Sequence, residues 1–247
     1  MNICEVNNLT KYYGSFKALD NVTFDVKKGE VLGFIGPNGA GKTTTIRILL
    51  GLLKKTEGDV TIFGQDVWDD SVDIHKRIAY VPGDVYLWPN LTGGEVIDYF
   101  GRLSGGVNQA RKKRLIERFD LDPTKKCRSY SKGNKQKVGL IAAFATDAEF
   151  IILDEPTSGL DPLMMSVFQN CVIEAKNAGK TVLMSSHILA DVEKLCDRVT
   201  IIRQGQIVET GSLDTMRHMT RNMMSVRTKD EVKDLDKVSG VHHIELK

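Results

Sequence analysis

A chain of 247 residues, 41% hydrophobic and 27% charged, is long enough for one large domain plus a small appendage and has the balance of an ordinary soluble globular protein. Its 34 basic and 32 acidic residues leave a formal net charge of +2, which speaks against the clear basic excess of a dedicated nucleic-acid binder. The longest apolar run containing small residues, Val138–Ala145, falls far short of the roughly 18 residues that cross a bilayer, and Met1–Thr10 carries Glu5 without the apolar stretch of a signal peptide, so a cytosolic chain is expected.

Along the chain, short runs rich in Val, Ile and Phe alternate with longer helical patterns, the signature of a parallel α/β sheet. Val22–Val26 and Val31–Phe34 predict strands, and Thr43–Leu53 predicts a helix that ends at Lys54-Lys55 and a loop holding Gly58. Asp59–Phe63 predicts a strand turning at Gly64, and Arg77–Val81 another stopped by Pro82-Gly83. Between Thr92 and Ala145 the pattern is helical, which predicts a helical insert within the α/β domain. Phe150–Leu153, Thr181–Ser185 and Val199–Arg203 predict further strands. Ser212–Lys247 has a different texture, rich in Met and charge. It predicts a strand at Met223–Arg227, a helix at Lys229–Val238 and a strand at His242–Leu246. A sheet that stopped there would leave a bare edge, so the expectation is a truncated tail or one completed by another chain. Cys4, Cys127, Cys171 and Cys196 form no C-x-x-C pair and read as buried, reduced thiols.

The segment Gly36-Pro37-Asn38-Gly39-Ala40-Gly41-Lys42-Thr43-Thr44 fits G-x-x-x-x-G-K-[ST] at every fixed position, between an apolar strand and a helix. Its glycines let the backbone curl with N–H groups aimed at phosphate oxygens. The helix start near Lys42 adds its positive end to that anion site. Lys42 is expected to reach the β- and γ-phosphates, Thr43 to offer its hydroxyl to Mg²⁺, and Thr44 to bond a phosphate oxygen.

Phe150-Ile-Ile-Leu-Asp-Glu155 is an apolar strand ending in two acids. Adjacent strand side chains point to opposite faces, so only the strand's end brings both toward one ligand. Carboxyl ends of parallel strands are where such sheets bind ligands. Asp154 is suited to hold Mg²⁺ and Glu155 to polarise the water that attacks the γ-phosphate.

With these motifs in this order and spacing, the chain resembles the nucleotide-binding subunits of ATP-binding-cassette (ABC) transporters from Ile3 to about Gly211. The resemblance implies an α/β, P-loop NTPase mixed-sheet core with helices, an antiparallel β subdomain and an inserted helical subdomain at approximately 90–145. The ATP-binding domain would run over 1–215, and 216–247 would form a small C-terminal extension. Tyr13, before Gly14, matches the aromatic that stacks on adenine, with Tyr12 as the second choice. Tyr130-Ser-Lys-Gly-Asn-Lys-Gln136 resembles the signature segment usually written L-S-G-G-Q, with Lys132 and Asn134 as departures. Ser131 and Gly133 would contact the γ-phosphate held by an opposite subunit. This Y-S-K-G form is similar to one found among bacterial export-type ATPases.

Ser158-Gly-Leu-Asp161 resembles the loop that links the two ATP sites, and Asp161-Pro162 also reads as a helix N-cap with Pro at N1. His187, after the strand Thr181–Ser185, matches the switch histidine that contacts the γ-phosphate. Gly83 and Asp84 stand where the family carries Gln, and Asp84 is expected as an anionic ligand of Mg²⁺. Tyr86, Leu87 and Trp88 would help form a groove for a helix of a membrane subunit, or else a small core under the insert. Arg102–Lys137 holds 12 basic and 3 acidic residues and reads as a solvated face or one near anionic lipid.

The resemblance implies ATP hydrolysis, with Glu155, His187 and Lys42 catalytic, ATP and Mg²⁺ bound, and two ATPase subunits sandwiching ATP as a homodimer or pseudo-dimer. The partner would be a transmembrane permease subunit, the location the inner face of the cell membrane, the direction export, and no nucleic acid would be involved. The competing readings are a non-transport ATPase of the same type and an ATP-sensing module with little turnover.

Overall fold

The computed structural model describes residues 1–212, without the side chains of Ala190 and Asp191. A long hairpin, β1 (Asn2–Tyr13) and β2 (Phe16–Lys27), leads into β3 (Val31–Ile35) and α1 (Lys42–Leu49). β4 (Glu57–Ile62) and β5 (Gln65–Asp66) return to the hairpin, and α2 (Ser71–His75) leads to β6 (Ile78–Val81). Three helices follow, α3 (Gly93–Leu103), α4 (Gln109–Arg118) and α5 (Lys132–Ala145), before β7 (Phe150–Asp154). The described chain ends with α6 (Pro162–Asn177), β8 (Thr181–Ser186), α7 (Leu189–Glu193), β9 (Arg198–Arg203) and β10 (Gln206–Ser212).

The strands form two sheets. One is antiparallel, in the order β2-β1-β4-β5. The other runs β10-β9-β3-β8-β7-β6, parallel throughout except for the antiparallel edge strand β10. Alternation along the parallel strands divides the core in two. Leu32, Phe34, Phe150, Ile152 and Leu183 face α1 and the antiparallel sheet. Val31, Ile35, Ile151, Leu153 and Val182 face the other way, toward α5 and α6. Strands covered on both faces carry nearly continuous apolar runs, and every residue of β3 and β7 is buried.

The insert occupies the connection between β6 and β7. Its first helix starts in a capping box: the Thr92 hydroxyl accepts from the Glu95 N–H at 3.2 Å, while the Glu95 carboxylate accepts from the Thr92 N–H at 2.6 Å. Outside the helices, only single bridges join Thr92 to Lys126 and Val107 to Thr146 among the described residues.

Several elements differ from the sequence reading. The helix expected to Leu53 ends at Leu49, because Gly51 takes φ 63° and a Cβ there would lie 2.4 Å from the Val67 carbonyl oxygen. The run Val22–Val26 is the centre of a 12-residue strand. Its partner β1 has no clean alternation, since bulges around Asn8 (φ 50°) shift the buried phase from Cys4 and Val6 to Leu9 and Thr10. β10 has no fully buried residue and so lacks an apolar signature. The strands and helix expected within 223–246, and the extension at 216–247, lie outside the described residues.

Candidate functional site

β3 ends beneath a glycine-rich turn that feeds straight into α1. Gly36 is needed there for space, since a Cβ would lie 2.2 Å from the Ile202 carbonyl oxygen. Gly41 is needed for conformation, with φ 111°. Pro37, Asn38, Gly39 and Thr43 are exposed around the turn, whereas Ala40 and Lys42 are buried and Thr44 is half-buried. No side chain caps the N-terminus of α1, so its leading N–H groups stay open to an anion. The 5%-exposed Lys42 threads back under the turn and donates to the carbonyls of Gly36 at 2.8 Å and Pro37 at 3.2 Å.

The two acids arrive from β7 as the strand order predicts. Asp154 is buried and accepts from the Thr43 hydroxyl at 2.9 Å and the Ser185 hydroxyl at 2.5 Å. Glu155 turns out of the strand with φ 46° and lies 3.2 Å from both the Lys42 ammonium and Nδ1 of His187. Lys42, Thr43, Asp154, Glu155 and His187 therefore converge, although they come from three separate stretches of chain. Thr43 and Asp154 offer hard oxygen donors side by side, the chemistry Mg²⁺ selects when phosphates and water complete its shell. The residues present fit that ion.

Burial and the charge of Asp154 push the Tyr80 hydroxyl up to about 12, so it stays protonated beside the carboxylate. Ser185 was not singled out from the sequence. Only its place beside Asp154 in the β7–β8 register marks it.

Asp84 is not brought to this group. Its carboxylate forms a 2.8 Å ion pair with Lys132, and Gly83 takes the place beside the acids, its Cβ position 3.1 Å from the Asp154 carbonyl oxygen and 3.6 Å from the Glu155 Cβ. A glycine at 83 leaves no side chain to reach the Thr43–Asp154 pair, and residue 84 already faces outward to the insert.

The signature residues stand at the start of α5. The exposed Ser131 is its N-cap and accepts from the Asn134 N–H at 3.2 Å. Gly133 packs against the loop before α6, where a Cβ would lie 2.5 Å from the Gly159 carbonyl oxygen. No hydrogen bond or ion pair joins Ser131 or Gly133 to the Lys42 cluster of the same chain. Asp161 caps α6 by accepting from the Met164 N–H at 2.9 Å, with Pro162 in the first turn.

Tyr13 stands half-exposed at the hairpin turn, where Lys11 lies 5.4 Å from its ring centre. The following stretch of β2 runs past the glycine-rich turn, where a Cβ on Gly41 would lie 2.6 Å from Leu19. Tyr12 is also partly exposed. Beyond Gly83, the three apolar residues take separate places. Tyr86 is 88% exposed, Leu87 packs against the helical-side core, and Trp88 meets Tyr99 edge-on at 5.1 Å. Tyr86, Tyr80, Phe100, Leu103 and Ala142 help line a groove of about 350 Å³.

Part of the basic stretch of the insert is paired: Arg111 with Asp147, Lys112 with Asp98, and Arg118 with Glu174. All four cysteines are free and buried. Among the described residues, no helix is long and apolar enough to cross a membrane.

A family model described as ABC transporter matches residues 19–158. An ABC transporter ATP-binding protein of Synechocystis is 37% identical over 226 residues, which cover 86% of this chain and 63% of that protein; this chain thus spans less than two thirds of that relative's length. The bacitracin transport ATP-binding protein BcrA of Bacillus licheniformis is 36% identical over 94% of this chain and 76% of its own. Among solved structures, the ATP-binding subunit of an ABC transporter superposes with a TM-score of 0.81 at 34% identity, covering 88% of this chain and 92% of that one. A dimeric, post-hydrolysis ATP-binding cassette bound to ADP and Pi gives 0.77 at 26% identity, over 85% and 98% of the two chains.

Proposed function

Because the chain belongs to the ABC transporter family of ATP-binding proteins, we propose that it hydrolyses Mg²⁺–ATP and so drives transport through a transmembrane permease subunit. The observation that carries this reading is the convergence of Lys42, Glu155 and His187, with 3.2 Å from Glu155 to each partner, beside the Thr43–Asp154 pair.

In this reading the turn at Gly36–Gly41 and the open end of α1 bind the triphosphate, and Lys42 leaves Glu155 for the β- and γ-phosphates. Thr43 and Asp154 hold Mg²⁺, which neutralises phosphate charge. Glu155, released from Lys42, takes a proton from the attacking water, and His187 steadies the γ-phosphate. Catalysis is then positioning and charge stabilisation rather than covalent chemistry. Tyr13 stacks on adenine.

Ser131 and Gly133 stand at the start of α5, unbonded to their own chain's Lys42 cluster; in this reading they serve the ATP of a second subunit, with Asp161 at the join. The ADP- and Pi-bound cassette among the structural neighbours is a dimer, which supports a sandwich of two subunits. Tyr86 and its groove receive a helix of the permease at the inner face of the membrane. The Y-S-K-G form of the signature, with a relative named for bacitracin transport, favours export.

The test is phosphate release by purified chain with ATP and Mg²⁺, set against Glu155→Gln. Wild-type turnover with loss in the variant supports the reading; equal release from both removes Glu155 as the base. A polytopic protein co-purifying in stoichiometric amount from membranes supports the transport half, and its absence favours a non-transport ATPase.

A further inference from the structure

Ser185 is fully buried near the end of β8, in register with Asp154 on one side and Phe34 on the other. Its single hydroxyl makes two bonds at once. It donates to Oδ1 of Asp154 at 2.5 Å and accepts from the backbone N–H of Glu155 at 2.9 Å. Both acids of the site are thus tied to one oxygen on the neighbouring strand.

The second bond matters because of what the backbone does at Glu155. β7 ends at Asp154, and Glu155 takes φ 46°, a left-handed conformation that a side chain with a Cβ disfavours. That turn carries its N–H out of the ladder, and the Ser185 hydroxyl is the acceptor that receives it. The first bond fixes the carboxylate oxygen of Asp154 that Thr43 does not use, since Thr43 bonds Oδ2. An apolar residue at 185 would leave a backbone donor and a carboxylate oxygen without these partners at the same place.

We propose that Ser185 is a positioning residue for ATP hydrolysis, whose hydroxyl holds Asp154 in orientation and keeps Glu155 in its left-handed turn. The proposal rests on the hydrolytic reading above. The hydrogen bonds of Ser185 go to Asp154 and Glu155 and not to the glycine-rich turn, so its loss acts on turnover and on Mg²⁺ dependence rather than on ATP affinity measured without the metal.

The experiment compares Ser185→Thr with Ser185→Val, which share shape and differ in the hydroxyl, and adds Ser185→Ala. Turnover, ATP affinity and amide exchange at Glu155 in nucleotide-free protein are measured on each. Val and Ala are expected to lower kcat by about 10- to 100-fold, to leave ATP affinity without Mg²⁺ within about threefold, and to speed exchange of the Glu155 amide. Thr is expected to restore both kcat and protection. Equal kcat and equal exchange in Thr and Val would overturn the proposal while leaving the hydrolytic reading intact. A wild-type chain that binds ATP without splitting it would overturn both.

Discussion

The Lys42 ammonium lies 3.2 Å from the Glu155 carboxylate. The same lysine donates to two carbonyls of the glycine-rich turn. On the proposed function, the cation that binds phosphate and the acid that activates water neutralise one another until a triphosphate competes for the lysine. Removing the negative charge of Glu155 has two opposite consequences: the lysine becomes freer, and the base is lost. Glu155→Gln should bind ATP at least as tightly as the wild type, by nucleotide fluorescence titration, while phosphate release falls by about 10²- to 10⁴-fold, the range set by a missing general base. Weaker binding would show that the ion pair does not oppose the nucleotide.

Asp84 gives a second, sharper case because its expected and observed partners differ. Its ion pair with Lys132 joins two exposed side chains, and such pairs contribute about 0–1 kcal/mol. Asp84→Asn should leave the urea midpoint almost unmoved and the Mg²⁺ half-saturation of ATPase activity within about twofold. A rise of 10-fold or more, the size of effect that follows loss of a group supporting a metal, would return Asp84 to the metal site.

Gly133→Ala tests the packing of the signature segment. Inside a helix the change would ordinarily stabilise by about 1 kcal/mol. Here the added Cβ would sit 2.5 Å from the Gly159 carbonyl oxygen, and overpacking against backbone costs about 1–3 kcal/mol. The clash outweighs the propensity, so equilibrium urea unfolding should show net destabilisation of the variant. Net stabilisation would mean that the loop before α6 gives way freely.

Lys180 gives a pH dependence with a definite sign. Burial, helped by the charge of Arg111, lowers its pKa from 10.5 to about 8. Below about pH 8 the ammonium is charged in both folded and unfolded chains, and burying it destabilises the fold in full. Between about 8 and 10.5 the folded chain has shed a proton that the unfolded chain keeps, so stability rises with pH. The stability of the wild type relative to Lys180→Met should therefore climb across that window. A flat difference would show the amine to be freely solvated.

The glycine-rich turn and the Asp154–Glu155 pair stood out in the sequence because each is a local pattern attached to an apolar strand, whereas His187 stood out through the family resemblance together with its place after a strand. The signal failed where tertiary context decides. β1 escaped notice because its bulges break the alternation on which strand reading depends, and β10 because an exposed edge strand has no buried face to mark it. Ser185 had no motif of its own; its importance comes from lying across the sheet from Asp154. Asp84 pairs with Lys132 instead of standing with the Thr43–Asp154 pair, a direction that sequence position in a loop does not give. Of three neighbouring apolar residues, Leu87 packs half-buried against the core while Tyr86 stays in solvent, a division that periodicity cannot foresee outside regular elements.

The buried side-chain amide of Gln136 donates to the Pro156 carbonyl at 3.1 Å. Gln136 belongs to the long helix of the insert, and Pro156 follows Glu155 directly. On the proposed function, this fastening would make the insert a lever with a short arm anchored beside Glu155. A swing of the helices either drags the Glu155–Pro156 turn along or strands a buried amide at a penalty of about 1–3 kcal/mol. The long helix is thus joined to the turn beside Asp154 and Glu155 by one buried hydrogen bond as well as by its packing on the parallel sheet.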